Sequence, residues 1–203
     1  MLSKLEPAGL KGLAIAPNSY NAVFVTKDKQ VKSMYDLKDM KVRGVGGLTA
    51  VRDAFVGASP VSLPQMDVRT AFDQGLINVQ AAAADGVIAE KWYEAAKYAF
   101  NTHDVAATRT LFINLKTWNG LPADIQTAIT TQVVPDWLAW NWQYVPGFEA
   151  DILSQIGKKM TLSNQTEQER ATLRDAMWTN EQPFWSKIDP DLLKFAQSLR
   201  TSK

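Results

Sequence analysis

The residues best equipped for chemistry are Arg43-Gly44-Val45-Gly46-Gly47, where a cation closes a short β-like run and glycines lead straight into a helical pattern. In an open α/β sheet, ligands bind beyond the carboxyl ends of the strands. Helix N-terminal amides favour an anion, and a guanidinium fork grips a carboxylate bidentately, so the spacing predicts a small-anion site at Arg43 and Gly46. A plainer reading stands beside it, in which Arg43 pairs with a surface Asp or Glu and the glycines merely make the turn. A nucleotide reading has less support: Thr49 stands where a third fingerprint glycine would be, and no Lys-Ser or Lys-Thr pair follows.

Other candidates reduce to structural roles. His103 could serve as a general base, yet no nucleophile is marked near it and no Gly-x-Ser-x-Gly element occurs. Trp137, Trp140 and Trp142 with Tyr144 could stack on a ring, although such clusters more often cover a core or the join between layers. Glu167, Glu169, Asp189 and Asp191 are not singled out as an acid and base pair. The absence of Cys excludes a disulfide framework, a thiolate nucleophile and Cys-based clusters, and a single His excludes a multi-His metal site. The expectation is a binding protein with no cofactor, no metal and no enzymatic activity.

The elements that must position Arg43 are legible from periodicity. The chain has 203 residues, 46% of them hydrophobic, with 22 Lys and Arg against 21 Asp and Glu. A net charge of +1 supplies no field for nucleic acid. The start has no apolar run of signal-peptide length, and nothing approaches the ~18 apolar residues of a membrane helix. Short β-like runs at 22–26, 41–43, 61–63, 76–79 and 108–115 alternate with helical stretches at 48–56, 67–74 and 85–100, the pattern of an α/β protein with a largely parallel sheet.

Beyond 121 the character changes. Leu121, Ile125, Ile129, Val133 and Trp137 recur every four residues, and the register runs on through Ile156. One helix over 121–157, ~55 Å long, fits best, with Pro135 and Pro146 inside it and expected to kink it. Thr166 with Glu169 forms a capping-box pattern for a helix to about Lys187, and Pro190 opens a last short one.

Six ordered segments resemble the solute receptors of the tripartite ATP-independent periplasmic (TRAP) transporters. Ser33 to Arg43 is similar to their "s-x-x-D-L-K-G-x-K-x-R" element, and Gly57-Ala58-Ser59-Pro60-Val61 to "G-A-x-P-V". Ala71 to Gln80 resembles "A-L-Q-x-G-V-V-D-G-Q", and Trp92 to Tyr98 resembles "x-Y-E-V-x-K-Y". His103 falls on a recurrent histidine, and Trp118 to Gln126 is similar to "W-x-x-L-P-x-D-x-Q". The resemblance is strong over about 10–130 and looser beyond.

What the resemblance implies is a periplasmic-binding-protein-like (type II) α/β lobe, with a long kinked helix spanning toward an incomplete second lobe. Arg43 would form a salt bridge to a substrate carboxylate, with Gly46, Gln65, Gln80 and Ala82 at other ligand-binding positions. Two departures bear on the ligand. The family's "D-G-Q-E-N" is Asn78-Val79-Gln80-Ala81-Ala82 here, so Ala82 replaces an Asn, and an aromatic pocket position is Gln65. A small organic acid is therefore expected over hydroxyl-rich sugar acids.

Aligned on the family, 1–20 form a crossing segment, 21–107 and 149–176 a complete ligand-binding lobe, and 108–148 with 177–203 the remainder of a truncated N-terminal lobe. The implied location is the periplasm and the implied partners are TRAP membrane subunits. An incomplete lobe would expose the strand near 108–115 and one face of the long helix, which predicts a homodimer or swapped assembly. The competing expectation is a self-associating remnant of the fold that has lost ligand binding.

Overall fold

The computed structural model describes residues 2–19, 21–44, 48–103, 107–188 and 190–201. Contacts divide the chain into two units, one of 1–21 with 104–155 and one of 22–103 with 156–203.

The larger unit is built on a six-stranded sheet. Its strands are β2 (Ala22–Thr26), β3 (Lys41–Gly44), β4 (Ser59–Ser62), β5 (Val79–Ala83), β6 (Tyr98–Asn101) and β8 (Thr161–Asn164), in the order β4-β3-β5-β2-β6-β8. β3 pairs in parallel with β4 and β5, and β6 in parallel with β8, while β2 runs antiparallel to both its neighbours. Five of the six strands therefore run in one direction, the largely parallel sheet expected, and β2 alone is reversed. The reversed strand is the central one, and the pattern of short β-branched runs does not encode strand direction.

Val23, Phe24, Val25, Val42, Val79 and Phe100 are fully buried on these central strands. Each such side chain contributes about 1.5–3 kcal/mol over its exposed state. The helices are α1 (Leu48–Phe55), α2 (Val68–Asp73), α3 (Ala84–Ala89), α7 (Glu167–Ile188) and α8 (Pro190–Thr201).

The helix expected over 85–100 is divided. α3 ends at Ala89, Lys91 takes a left-handed φ of 54°, and Trp92–Glu94 makes a single 3-10 turn before β6 begins. The alanines and aromatics of this stretch keep helical spacing, but Tyr98 to Asn101 pair with Thr26 to Val23 instead, a tertiary preference that overrides the local one. The strand expected at 76–79 begins only at Val79, since Asn78 bonds the Lys41 amide through its side chain at 2.9 Å. The capping box at Thr166 is formed: Glu169 accepts from the Thr166 amide at 2.9 Å, and the Thr166 hydroxyl accepts from the Glu169 amide at 3.2 Å.

The smaller unit pairs β1 (Leu10–Ser19) with β7 (Ala107–Asn114) in an antiparallel ribbon. It also holds α4 (Leu115–Asn119), α5 (Ala123–Ala128) and the first 22 residues of α6 (Val134–Lys159). The long helix is nearly continuous from Ala123, with a π-helical segment at Ile129–Val133 directly before Pro135. A proline has no amide to donate and its ring crowds the carbonyl four residues back, so a widened turn at that place has a local cause. Leu111, Phe112, Trp140, Trp142 and Tyr144 are exposed, and Tyr144 stacks between Trp140 and Phe148. No helix among the described residues is long and apolar enough to cross a membrane.

Candidate functional site

Arg43 is set by strand register. In β3 it pairs with Val61 of β4 on one side and Gln80 of β5 on the other. In-register neighbours of a sheet send their side chains to one face, so Arg43, Gln80 and Val61 share a face, with Ala82 two residues further along β5. Ala82 is half-buried opposite Val23.

The opposite face carries α1. Phe24, the register partner of Ala81, lies under the Arg52 guanidinium, 4.8 Å from carbon to ring centroid. Arg52 in turn donates through Nε and Nη2 to Asp53 Oδ1 at 3.2 and 3.1 Å. Asp53 is fully buried, and a Cβ added at Gly44 would stand 3.5 Å from its Oδ2 and 3.4 Å from Thr49 Oγ1. Asp53 and Thr49 of α1 therefore lie beside the end of the strand that carries Arg43, and Arg52 packs over Phe24 of β2.

Arg43 is 7% exposed. Its Nε and Nη2 both donate to the Leu63 carbonyl, at 3.3 and 3.0 Å. Among the described residues no carboxylate forms an ion pair with it, so the pairing with a surface Asp or Glu does not occur there. The other guanidinium donors and the charge of Arg43 therefore have no protein partner among the described residues.

Gln80 is 1% exposed, its Nε2 donates to the Ala81 carbonyl at 3.2 Å, and its Oε1 has no partner. Gln65 is exposed, and its Nε2 reaches both Glu90 oxygens at 2.6 and 2.5 Å, joining the segment after β4 to the end of α3. Gly46 lies outside the described residues.

His103 has a left-handed φ of 51°, and its ring lies 2.9 Å through Nε2 from the Asn101 amide nitrogen, with Asn164 Oδ1 at 3.3 Å. Arg170 holds its carbonyl at 2.9 Å. These are amide and backbone partners with no nucleophile among them. No group of three or more metal-ligating side chains is placed together among the described residues. A cavity of about 250 Å³ lies at the other end of the strands from Arg43, floored by Met40, Phe72 and Ile77.

Two parts of this arrangement were not anticipated from the residues. The Leu63 carbonyl is a backbone group and leaves no mark in a sequence. Arg52 did leave one, since it stands four residues after Leu48 and next to Val51 on the apolar stripe of α1, where a cation needs a buried partner.

Comparison with known proteins identifies the family to which this fold belongs. The family model for bacterial extracellular solute-binding protein family 7 (DctP) matches residues 1–188. The chain is 26% identical over 198 residues to the 2,3-diketo-L-gulonate-binding periplasmic protein YiaO of Escherichia coli, covering 95% of this chain and 59% of that one. It is 25% identical over 129 residues to the C4-dicarboxylate-binding periplasmic protein DctP of Rhodobacter capsulatus, 64% of this chain and 38% of that one. A TRAP periplasmic solute-binding protein of Desulfovibrio salexigens, solved with orotic acid, superimposes with a TM-score of 0.85 at 21% identity, covering 97% of this chain and 64% of that one. The chain thus spans between about two fifths and two thirds of the length of these relatives. The α/β receptor lobe read from the sequence is the observed fold, and the chain belongs to bacterial extracellular solute-binding protein family 7.

Proposed function

We propose that the chain is the ligand-binding part of a TRAP transporter receptor that captures a small organic acid in the periplasm, with Arg43 in a salt bridge to the carboxylate. The observation that carries this reading is the state of Arg43: 7% exposed, at the carboxyl end of β3, and bonded only to the neutral Leu63 carbonyl. A carboxylate would supply the two parallel acceptors that a guanidinium fork is shaped for.

Gln80 and Ala82 on the same face form the floor of this site, Gln65 lies at its margin, and Gly46, outside the described residues, is kept as a ligand-binding position on the resemblance alone. Residues 21–107 with 149–176 act as the ligand-binding lobe, and 1–20 as the segment that enters it. The ligands of these relatives, a diketo sugar acid, a C4-dicarboxylate and orotate, all carry carboxylates. The partners of such a receptor are TRAP membrane subunits. The family model and the two named relatives are solute-binding proteins, which supports binding over both catalysis and a self-associating remnant.

Thermal-shift and calorimetric titration against mono- and dicarboxylic, aromatic and keto acids, run beside Arg43→Ala, tests the proposal. An acid at 100 times its dissociation constant stabilises the folded state by about 2.7 kcal/mol. Arg43→Ala should cost about 2–5 kcal/mol of binding free energy. Equal binding by the variant would remove Arg43 from the site.

A further inference from the structure

The carbonyl that holds Arg43 sits on a stiff piece of chain. Leu63 and Pro64 share a planar peptide bond, so the Leu63 oxygen turns with the proline ring. The ring locks φ of Pro64, here −54°, and a single soft torsion, ψ at 146°, separates it from Gln65. Gln65 is anchored at its far end, where Nε2 donates to both Glu90 oxygens at 2.6 and 2.5 Å, a charge-assisted contact. Among the described residues, hydrogen bonds from 63–67 to other elements run only to Arg43 and to Glu90. β4 is an edge strand, so no further strand steadies its exit.

The same contact closes a frame. Glu90 caps the C-terminus of α3, α3 follows β5 without a break, and β3 lies between β4 and β5. Gln65 and Glu90 thus join the chain leaving β4 to the helix leaving β5, the two neighbours of the strand that carries Arg43. The Leu63 carbonyl takes the Nε and Nη2 edge of the guanidinium, which leaves the edge formed by Nη1 and the second Nη2 hydrogen for a carboxylate.

Resting on the carboxylate reading of Arg43, we infer that Gln65 and Glu90 are positioning residues, which set Arg43 for an acid through the Leu63 carbonyl without touching the acid themselves. An arginine held by one edge before the ligand arrives has less freedom to lose on binding. An exposed hydrogen bond adds little to global stability, so the effect of this one belongs in affinity rather than in the unfolding midpoint.

The full chain is compared with Gln65→Ala, Gln65→Glu, the swapped pair Gln65→Glu with Glu90→Gln, and Arg43→Ala. Two quantities are read: exchange of the Arg43 Nε proton with water, by NMR on the empty protein, and affinity for acetate, succinate, benzoate and pyruvate, by calorimetry. In Gln65→Ala the Nε proton should exchange about 5-fold or more faster, and the acids that bind wild type should bind about 3- to 10-fold more weakly, with the urea midpoint of the empty protein unchanged. Gln65→Glu sets two carboxylates face to face and should show the larger effect. The swapped pair puts an amide and a carboxylate back into contact with their ends exchanged, and should return both quantities to within about 2-fold of wild type.

Unchanged proton exchange and acid affinity in Gln65→Ala, with binding lost in Arg43→Ala, would overturn the inference and leave the carboxylate site standing. A loss in Gln65→Ala that the swapped pair does not recover would give Gln65 a direct contact with the acid and overturn its positioning role. Binding of none of the acids, or binding unchanged in Arg43→Ala, would overturn the receptor reading and this inference with it. Gln65 and Glu90 are both exposed, so the variants leave the core intact and each outcome can be read.

Discussion

Arg43 and Gln80 are in-register partners across the parallel β3 and β5 ladder, and their side chains leave the sheet on the same face. One brings a buried positive charge bonded to a single neutral carbonyl, the other a buried acceptor with nothing to accept. Two under-satisfied polar groups side by side are a costly arrangement for a core that serves packing alone. On the proposed reading of Arg43, stability of the empty fold and affinity for an acid pull in opposite directions at this residue, as is usual where a site is preorganised.

That opposition can be measured on the empty protein. Arg43→Met keeps an unbranched apolar stem, removes the charge and gives up the bonds to Leu63. Urea unfolding without ligand should find it within about 1 kcal/mol of wild type, on either side, because a neutral hydrogen bond is worth about that much and the desolvation cost is relieved. Stabilisation by added acid should vanish in the same variant. A loss above about 3 kcal/mol in the empty state would mean that Arg43 holds the fold rather than waits for a ligand.

The capping box gives a prediction confined to one helix end. Thr166 and Glu169 satisfy each other's backbone amides at the start of α7, and the Thr166 hydroxyl also donates to Glu169 Oε2 at 2.8 Å. Thr166→Ala should cost about 1 kcal/mol. Glu169→Ala should cost a similar amount, and the double variant clearly less than the sum, since both remove one reciprocal unit. Strict additivity in denaturant unfolding would show the two bonds to be independent.

How much of this could be read before the fold was known depended on whether the signal was local. Arg43 at a strand end, the reciprocal cap at Thr166 and the long helix past 123 are local patterns, and each lies where the spacing puts it. The strands that escaped notice are made by their partners. β8, Thr161 to Asn164, has almost no apolar run and exists as a strand through its parallel ladder with β6. β1 runs through Pro17, which reads as a stop, but the register shifts between Pro17 and Ser19, and an edge strand with a bulge tolerates a proline. The partner of Arg43 was hidden for a different reason: that the Leu63 carbonyl turns toward the guanidinium depends on how the chain leaves β4, and a backbone oxygen is the same at every residue. The direction of β2 was hidden likewise, since hydrophobic content records that a strand is central and not which way it runs.

The buried Arg52 and Asp53 pair supports the site from behind, and it should be the most sensitive electrostatic feature of the larger unit. Asp53 is fully buried and Arg52 7% exposed, and the guanidinium also lies over Phe24. Asp53→Asn removes the carboxylate charge to which Arg52 Nε and Nη2 donate, for which about 3–5 kcal/mol of lost stability is expected. Arg52→Leu leaves the carboxylate in the same position and should cost a comparable amount. Joint replacement by Arg52→Leu and Asp53→Asn removes both charges and should recover part of the loss, giving a coupling energy well above the ~0.5 kcal/mol seen between independent sites. Chemical denaturation of the four proteins closes the cycle. Because α1 packs Asp53 and Thr49 toward Gly44, directly after Arg43, the single variants should also weaken acid binding in step with their instability. Full acid affinity in a strongly destabilised Asp53→Asn would separate the support of α1 from the geometry of Arg43.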